Sequence, residues 1–345
     1  MSLIPSSNFV PPWGTKGSLN RIGDKLRADS DISQAEVACL DSWRAAHKHV
    51  MNAFQSMLRG RTRGKSISVA QRHKRRLTIV DKLIREPRMQ LARMDDVAGI
   101  RLIFPDIDSM HQFRGSFLSS KHKHTRKSTN NKYDYVLYPK DTGYRGIHDI
   151  YIYYSDSKSC SVANGLMIEV QFRTSAQHAW ATANEIITMT TDNRTKFNSG
   201  DTRYLEFFRL SSEIIARTAE QKNSVYPKLT NHQLVNAFRE LEGEIHIARF
   251  LAGLSGAYVN YSPSGSLILQ FRSDSKLLIH NVPRFVSAHE VYFKLEKDNP
   301  EDDIVLVSAE TFDQMRSAYR NYFSDSEEFL TYLNQGIATL EAANI

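Results

Sequence analysis

Residues 166–180 read LMIEVQFRTSAQHAW, and within them three apolar side chains (Ile168, Val170, Phe172) alternate with Glu169, Gln171 and Arg173. Strand side chains point alternately to opposite faces, so this stretch makes a strand with one apolar face and one face bearing a carboxylate, an amide and a guanidinium. An ordinary surface strand has the same alternation. What the polar face means depends on what the rest of the chain brings to it.

Working outward, GIRLIF (99–104), YDYVLY (133–138) and GIHDIYIYY (146–154) are predicted strands, and a helix is expected from about Ala176. The spacing Val37, Leu40, Trp43, Ala46, Val50, Phe54 predicts a helix from Ser33 to about Arg59; further helices are expected from Thr78 and around Ser109–Leu118. Strands interleaved with helices indicate an α/β or α+β sheet domain. Two long helical patterns follow, Arg203–Lys222 and His232–Leu254, interrupted at Pro227. Beyond Gly256 come short units: strands SLILQF, LLIHNV and DIVLVSA, a helix SAHEVYFKLEK, then helices to the end. The expected partition is an N-terminal arm over 1–32, a sheet domain over 33–200, a helical connector over 201–254 and a C-terminal α/β domain over 255–345.

Hydrophobic residues make up 41% of the 345, enough for real cores in two domains. Two cysteines, Cys39 and Cys160, are too few for a disulfide framework or a zinc cage, which points to a reducing cytoplasm. No apolar run is long enough to span a bilayer, and the N-terminus lacks a basic-then-apolar signal pattern, so neither a membrane nor secretion is expected. The net charge of +7 is unevenly spread: residues 251–345 hold 7 Lys and Arg against 13 Asp and Glu, and residues 1–250 hold 38 against 25. A basic body suits polyanions such as nucleotides or RNA, although solubility alone also accounts for such a charge.

In QRHKRRLTIVDKLIREP (71–87), Thr78 and Asp81 have the spacing of a capping box, which puts a helix start at Thr78 and Lys82 in its first turn. A cation there opposes the helix dipole unless an anion lies between them. With Arg72, Lys74, Arg75 and Arg76 approaching the same end, the segment reads either as a polyphosphate cradle or as a solvated basic face. In RMDDVAGIRLIF (93–104), Asp95 and Asp96 precede an apolar strand, where acidic residues act as turn formers or as hard oxygen ligands for Mg²⁺. Pairing with Glu169 from a neighbouring strand would make a two-carboxylate site. In YDYVLYPKDTGYRGIH (133–148), Pro139, Asp141 and Gly143 signal a tight turn with Tyr144 at its exit, flanked by Lys140 and His148. The Tyr144 ring would stack on a base or pack beneath a hairpin.

In order and spacing these segments resemble the synthetase domain of the RelA/SpoT alarmone family. Arg72-x-Lys74, Thr78-Ile79 and Lys82 are similar to its R-x-K…[ST]-I-x-x-K ATP-binding segment. DDVAGIR resembles D-[IL]-x-G-I-R, with Asp96 at the metal position and Arg101 among the ATP-binding residues. YDYVLYPKDTGYRGIH looks like D-Y-I-x-x-P-K-x-x-G-Y-x-S-L-H, with Tyr144 as the purine-stacking tyrosine; Gly146 replaces the usual Ser and Ile147 the usual Leu. IEVQFRT resembles E-[IV]-Q-[IV]-R-T, with Glu169 as the catalytic carboxylate, and HAWA (178–181) continues it.

The resemblance spans about Gln71 to Glu185 and implies a nucleotidyltransferase-like α+β fold, a mixed β-sheet flanked by helices. It also implies a Mg²⁺-dependent enzyme in which a ribose 3′-hydroxyl attacks the β-phosphorus of ATP. Asp96 and Glu169 would hold the metal and Arg72, Lys74 and Lys82 would neutralise the triphosphate. Tyr144, Lys140 and His148 would bind the acceptor, supported by Gln171 and Arg173. The family's hydrolase domain has no counterpart, because too little chain precedes Gln71, so degradation is not expected.

The long basic segment looks most like the toxic small synthetases, which implies the tRNA 3′-CCA end as acceptor, with GDP or GTP as the alternative and a non-catalytic RNA- or nucleotide-binding module as a third reading. Lys121, Lys123, Arg126, Lys127 and Lys132 form a loop that either contacts a tRNA backbone or is simply solvated. The C-terminal piece resembles the fused antitoxin-like domain of CapRel-type phage-defence proteins, which implies self-inhibition relieved by a phage protein; a stabilising or dimerising domain is the other reading.

Overall fold

The computed structural model describes residues 11, 13–74, 76–128, 131–191, 201–255, 266–271, 277–283, 286–299, 302–308 and 322–343. It is an α+β protein whose main sheet has five strands in the order β1-β2-β5-β4-β3, a mixed sheet flanked by helices. These strands are β1 (Ser68–His73), β2 (Ala98–Phe104), β3 (Thr125–Arg126), β4 (Ile147–Ile152) and β5 (Met167–Thr174). Two units divide the chain, one of Met1–Asp134 with Gly146–Arg173, the other of Tyr135–Arg145 with Thr174–Ile345.

In the first unit, α1 (Lys16–Arg27) lies where an arm was expected. Its formation has a local cause: Thr15 caps the N-terminus by accepting from Ser18 N, and Leu19 and Ile22 reach a core with Trp43, Leu83 and Leu91. The next helix, α2 (Gln34–Thr62), begins at Ser33 with a complete capping box and buries Leu40, Trp43, Val50, Phe54 and Leu58, the stripe its spacing predicts. The opening alternation is also realised, with Ile168, Val170 and Phe172 fully buried on β5.

Two further expectations fail in this unit. Helix α3 runs Arg76–Arg85, so Thr78 lies inside it and Lys82 sits in the last turn, where a cation favours the dipole. The residues just before it, read as an approach to that helix, include the edge strand β1, whose exposed pattern shows no apolar alternation. Arg75 lies outside the described residues. Helix α4 (Ile107–Leu118) follows β2, capped by Asp106.

In the second unit, α5 (Ser175–Thr191), α6 (Thr202–Ala219), α7 (Asn231–Ile245), α8 (Ile247–Ser255) and α10 (Tyr322–Ala342) share one apolar core. The single helix expected over His232–Leu254 breaks at His246 (φ +54°), and the Glu242 carboxylate caps the new helix by accepting from the Ala248 and Arg249 amides. Strands β6 (Ser266–Phe271), β7 (Leu277–Val282) and β8 (Asp303–Ser308) form a three-stranded antiparallel sheet in the order β7-β6-β8. It packs with α9 (Ala288–Asp298) around Ile268, Val282, Tyr292 and Ile304. Helix α10, expected as part of a separate C-terminal domain, instead sends Phe329, Leu333 and Leu340 into the helical core. Gly336 allows the approach, since a Cβ there would meet Ile214 at 2.8 Å.

The strand expected over Tyr133–Tyr138 is a turn with one bridge, Asp134 to Ile147. No helix among the described residues is long and apolar enough to cross a membrane.

Candidate active site

Antiparallel pairing of β1 with β2 puts the exit of the first strand and the entry of the second at one end of the hairpin. Lys74 leaves β1 there, and Asp95 and Asp96 lead into β2. Lys74 Nζ lies 2.7 Å from Asp96 Oδ2, and Lys82 Nζ lies 3.0 Å from Asp96 Oδ1 and 3.8 Å from Asp95 Oδ1. Burial pushes the Asp95 carboxyl up, with Asp96 beside it adding to the rise against the pull of Lys82 and Lys127. Burial would depress the Lys82 ammonium, but Asp96, Asp95 and Glu86 outweigh it and hold it above the usual lysine value.

Glu169 projects from the polar face of β5. On β4, His148 is the cross-strand partner of Gln171, which makes it a diagonal neighbour of Glu169. Its Nδ1 donates to Glu169 Oε1 at 2.8 Å, and Gln171 Nε2 donates to Oε2 at 2.5 Å. Burial would raise this carboxyl, yet the His148 ring, the two hydrogen bonds and the charge on Lys82 hold it down at about 2. Lys82 therefore acts electrostatically on Asp95, Asp96 and Glu169 together.

Among the described residues no group of three or more His, Cys, Asp or Glu side chains is arranged to hold a metal. Mg²⁺ needs less, since it is commonly bound through one or two carboxylates and completes its octahedron with water and phosphate oxygens. Asp96 Oδ1 suits that use: it is buried with Lys82 Nζ 3.0 Å away, so a metal ion bound there would share it with that ammonium.

The other expected residues are distributed as follows. Arg72 is exposed on β1, paired in register with Gly99, and Arg101 is half-buried on β2 opposite Ala70. Gln171 and Arg173 are buried. Lys140 and Tyr144 belong to the second unit. Their turn is the one the sequence indicates, closed by Gly143 N donating to the Lys140 carbonyl at 2.8 Å. Gly143 has φ +88°, and a Cβ there would come within 3.1 Å of the Phe208 carbonyl oxygen. Lys140 Nζ stands over the rings of Tyr135 and Tyr144. Tyr144 begins an aromatic chain through Trp180 and Phe208 to Phe329 of α10, with centroid steps of 6.4, 5.7 and 6.2 Å.

The basic loop is less available than its composition suggests. Arg126 is held by Asp149, 2.8 Å from Nη2, and Lys123 pairs with Asp156. Lys127 is exposed and acts electrostatically on Asp95, Lys132 stands over the Tyr133 ring, and Lys121 is exposed.

Two buried ionic clusters escaped the sequence reading. Asp149 is fully buried between Arg114, Arg126 and Ser128, fastening α4 and β3 to β4. Its signal was an acid inside the apolar run IHDIYIYY. In the second unit, Arg145 Nη1 meets Glu220 Oε2 at 2.5 Å while Thr174 donates to Glu220 Oε1, anchoring the base of the Tyr144 turn.

No curated protein matches the chain. Among solved structures it is similar to small alarmone synthetase 1 from Bacillus subtilis bound to its product pppGpp, at 19% identity, covering 60% of this chain and 98% of that one, TM-score 0.45. Small alarmone synthetase 2 from Bacillus subtilis matches at 21% identity, over 52% of this chain and 92% of that one, TM-score 0.43. A GTP pyrophosphokinase family protein from Streptococcus pneumoniae matches at 21% identity, over 59% and 94%, TM-score 0.38. Residues 71–189, about a third of the chain and the stretch that carries Lys74, Lys82, Asp95, Asp96, Tyr144, His148 and Glu169, match the family model described as "Region found in RelA / SpoT proteins".

Proposed function

We propose that the protein transfers the β,γ-pyrophosphate of ATP to a ribose 3′-hydroxyl and releases AMP. The observation that carries this reading is the convergence of Asp95, Asp96 and Glu169 on Lys82 inside the stretch matched by the RelA/SpoT family model. The acceptor oxygen bonds to the β-phosphorus, the bond between that phosphorus and the α,β-bridging oxygen breaks, and AMP leaves with the oxygen. Transfer of this kind depends mainly on positioning and charge neutralisation.

Lys74, Lys82 and Arg72 are assigned to the triphosphate, with Arg101 in support. Asp96 and Glu169 would hold Mg²⁺, which when bound neutralises phosphate charge. Glu169 accepts the hydrogen bond of the attacking hydroxyl and orients it. A carboxyl held near 2 is a weak base, but a triphosphate nearby raises its proton affinity, and a loose transition state asks little of it until the new bond forms. Gln171 and His148 fix its orientation. Tyr144 and Lys140 are assigned to the acceptor by their motif.

For the acceptor we favour the tRNA 3′-CCA end, supported by the positive charge of residues 1–250, with GDP or GTP as the competing small acceptor. On this reading the protein is a toxin that stops translation, the acidic C-terminal piece restrains it, and a phage protein releases it. The full chain incubated with γ-labelled ATP and either tRNA or GDP should release AMP and label one acceptor, and Glu169→Gln should abolish transfer while ATP still binds. Absence of AMP release with either acceptor, with and without phage proteins, would leave only a binding module.

A further inference from the structure

The strongest feature outside the candidate active site is a groove of about 490 Å³ in the first unit. It is lined by the end of α2 and the turn after it, by Pro105 beyond β2, and by one face of α4. Because Ser66 and Ile67 precede β1 and Pro105 follows β2, the groove lies at the opposite end of the hairpin from Lys74 and Asp96. A strand rises about 3.3 Å per residue, so roughly 20 Å separates the two places.

The groove is shaped for an anion. Its floor is the Phe113 and Phe117 rings, with the Lys65 ammonium 5.6 Å over the first and the Arg61 guanidinium 5.5 Å over the second. Cation–π contact fixes both charges in place without neutralising them. Ser109, Gln112 and Ser116 add polar groups along α4, and no carboxylate lines the groove. Arg59, Arg61, Arg63 and Lys65 fall within seven residues, and no ion pair is formed by any of them among the described residues. Three negative features oppose them nearby. The α2 carbonyl end carries about half a negative charge. Asp106 and Asp108 open α4, but Asp106 is turned back to cap the helix through Ser109 N. Positive potential remains in excess.

We propose that this groove is a second binding site, separate from the acid cluster, for a phosphorylated small ligand of nucleotide size. Its phosphates lie between Arg61 and Lys65, and its polar remainder lies along Ser109, Gln112 and Ser116. The volume falls in the range of small-ligand sites and holds one nucleotide. The inference does not depend on the proposed transfer activity, so it stands or falls without it.

The test is hydrogen exchange on the full chain with ADP as the probe, which reports location as well as binding. ADP should protect residues 59–69 and 107–118, inorganic pyrophosphate should compete, and adenosine alone should not. In Arg61→Gln/Lys65→Gln the concentration needed for that protection should rise about tenfold or more, as expected for losing charge-assisted contacts, while protection around residues 91–104 is unchanged. Arg61→Lys/Lys65→Arg should keep most of the binding. Three results would overturn the proposal: no protection of the two segments at millimolar ADP, protection indifferent to the glutamine pair, or protection by a short RNA and not by ADP.

Discussion

Replacing His148 by Ala removes the main partner of a mostly buried carboxylate, and the structure sets the size of the effect. The Glu169 side chain is 15% exposed and its carboxyl is held at about 2 instead of 4.5, a difference equivalent to about 3 kcal/mol. Burial opposes that lowering, so without His148 the carboxyl should titrate upward. Gln171 and residual hydration limit the loss, giving an expected destabilisation of about 2–3 kcal/mol at neutral pH.

The sign with pH follows from the lowered value: the contribution is complete above about 4.5 and fades as pH falls toward 2. Urea unfolding followed by hydrogen exchange of β4 and β5 should show this fading in the unmodified protein and little of it in His148→Ala. Adding Glu169→Gln to His148→Ala should recover much of the stability, because the stranded charge is gone. A cost below about 0.5 kcal/mol for His148→Ala, or a double variant no more stable than the single, would refute the reasoning.

Three further outcomes are expected. Phe329→Ala empties a fully buried site in the α5–α8 core and should cost about 3–5 kcal/mol by urea unfolding, with exchange protection lost at residues 139–145 as well as in α10. Glu220→Ala leaves the Arg145 guanidinium buried and unpaired, a loss of about 3–5 kcal/mol in the same assay, whereas Arg145→Met/Glu220→Leu should regain most of it. Gly143→Ala meets both a positive φ and a close carbonyl, so it should cost about 2 kcal/mol and weaken acceptor use more than ATP use, read as separate KM values.

Where pattern and chemistry are local, the fold was legible in the sequence. The alternation over Ile168–Arg173 and the stripe from Val37 to Phe54 became β5 and α2 because burial rewards those periods directly. Thr78 and Asp81 misled because a capping-box spacing can occur inside a helix that starts two residues earlier. β1 was invisible for a different reason: an exposed edge strand has no buried face to write a pattern. Asp96 and Glu169 were singled out by motif, but their common dependence on Lys82 is tertiary. The same holds for Arg126, whose partner Asp149 lies 23 residues away; a loop's composition does not say which of its cations are already spent.

The row of rings from Tyr144 to Phe329 has a consequence for biosynthesis. Tyr144 leaves the ribosome early, but the last ring that steadies it is added nearly two hundred residues later. A nascent chain halted before α10 would carry all of residues 71–189 and the Glu220 anchor of the turn, yet lack the ring that closes the far end of this row. The helical core around these rings would then close only once α10 has been translated, which ties completion of that core to a late step of synthesis.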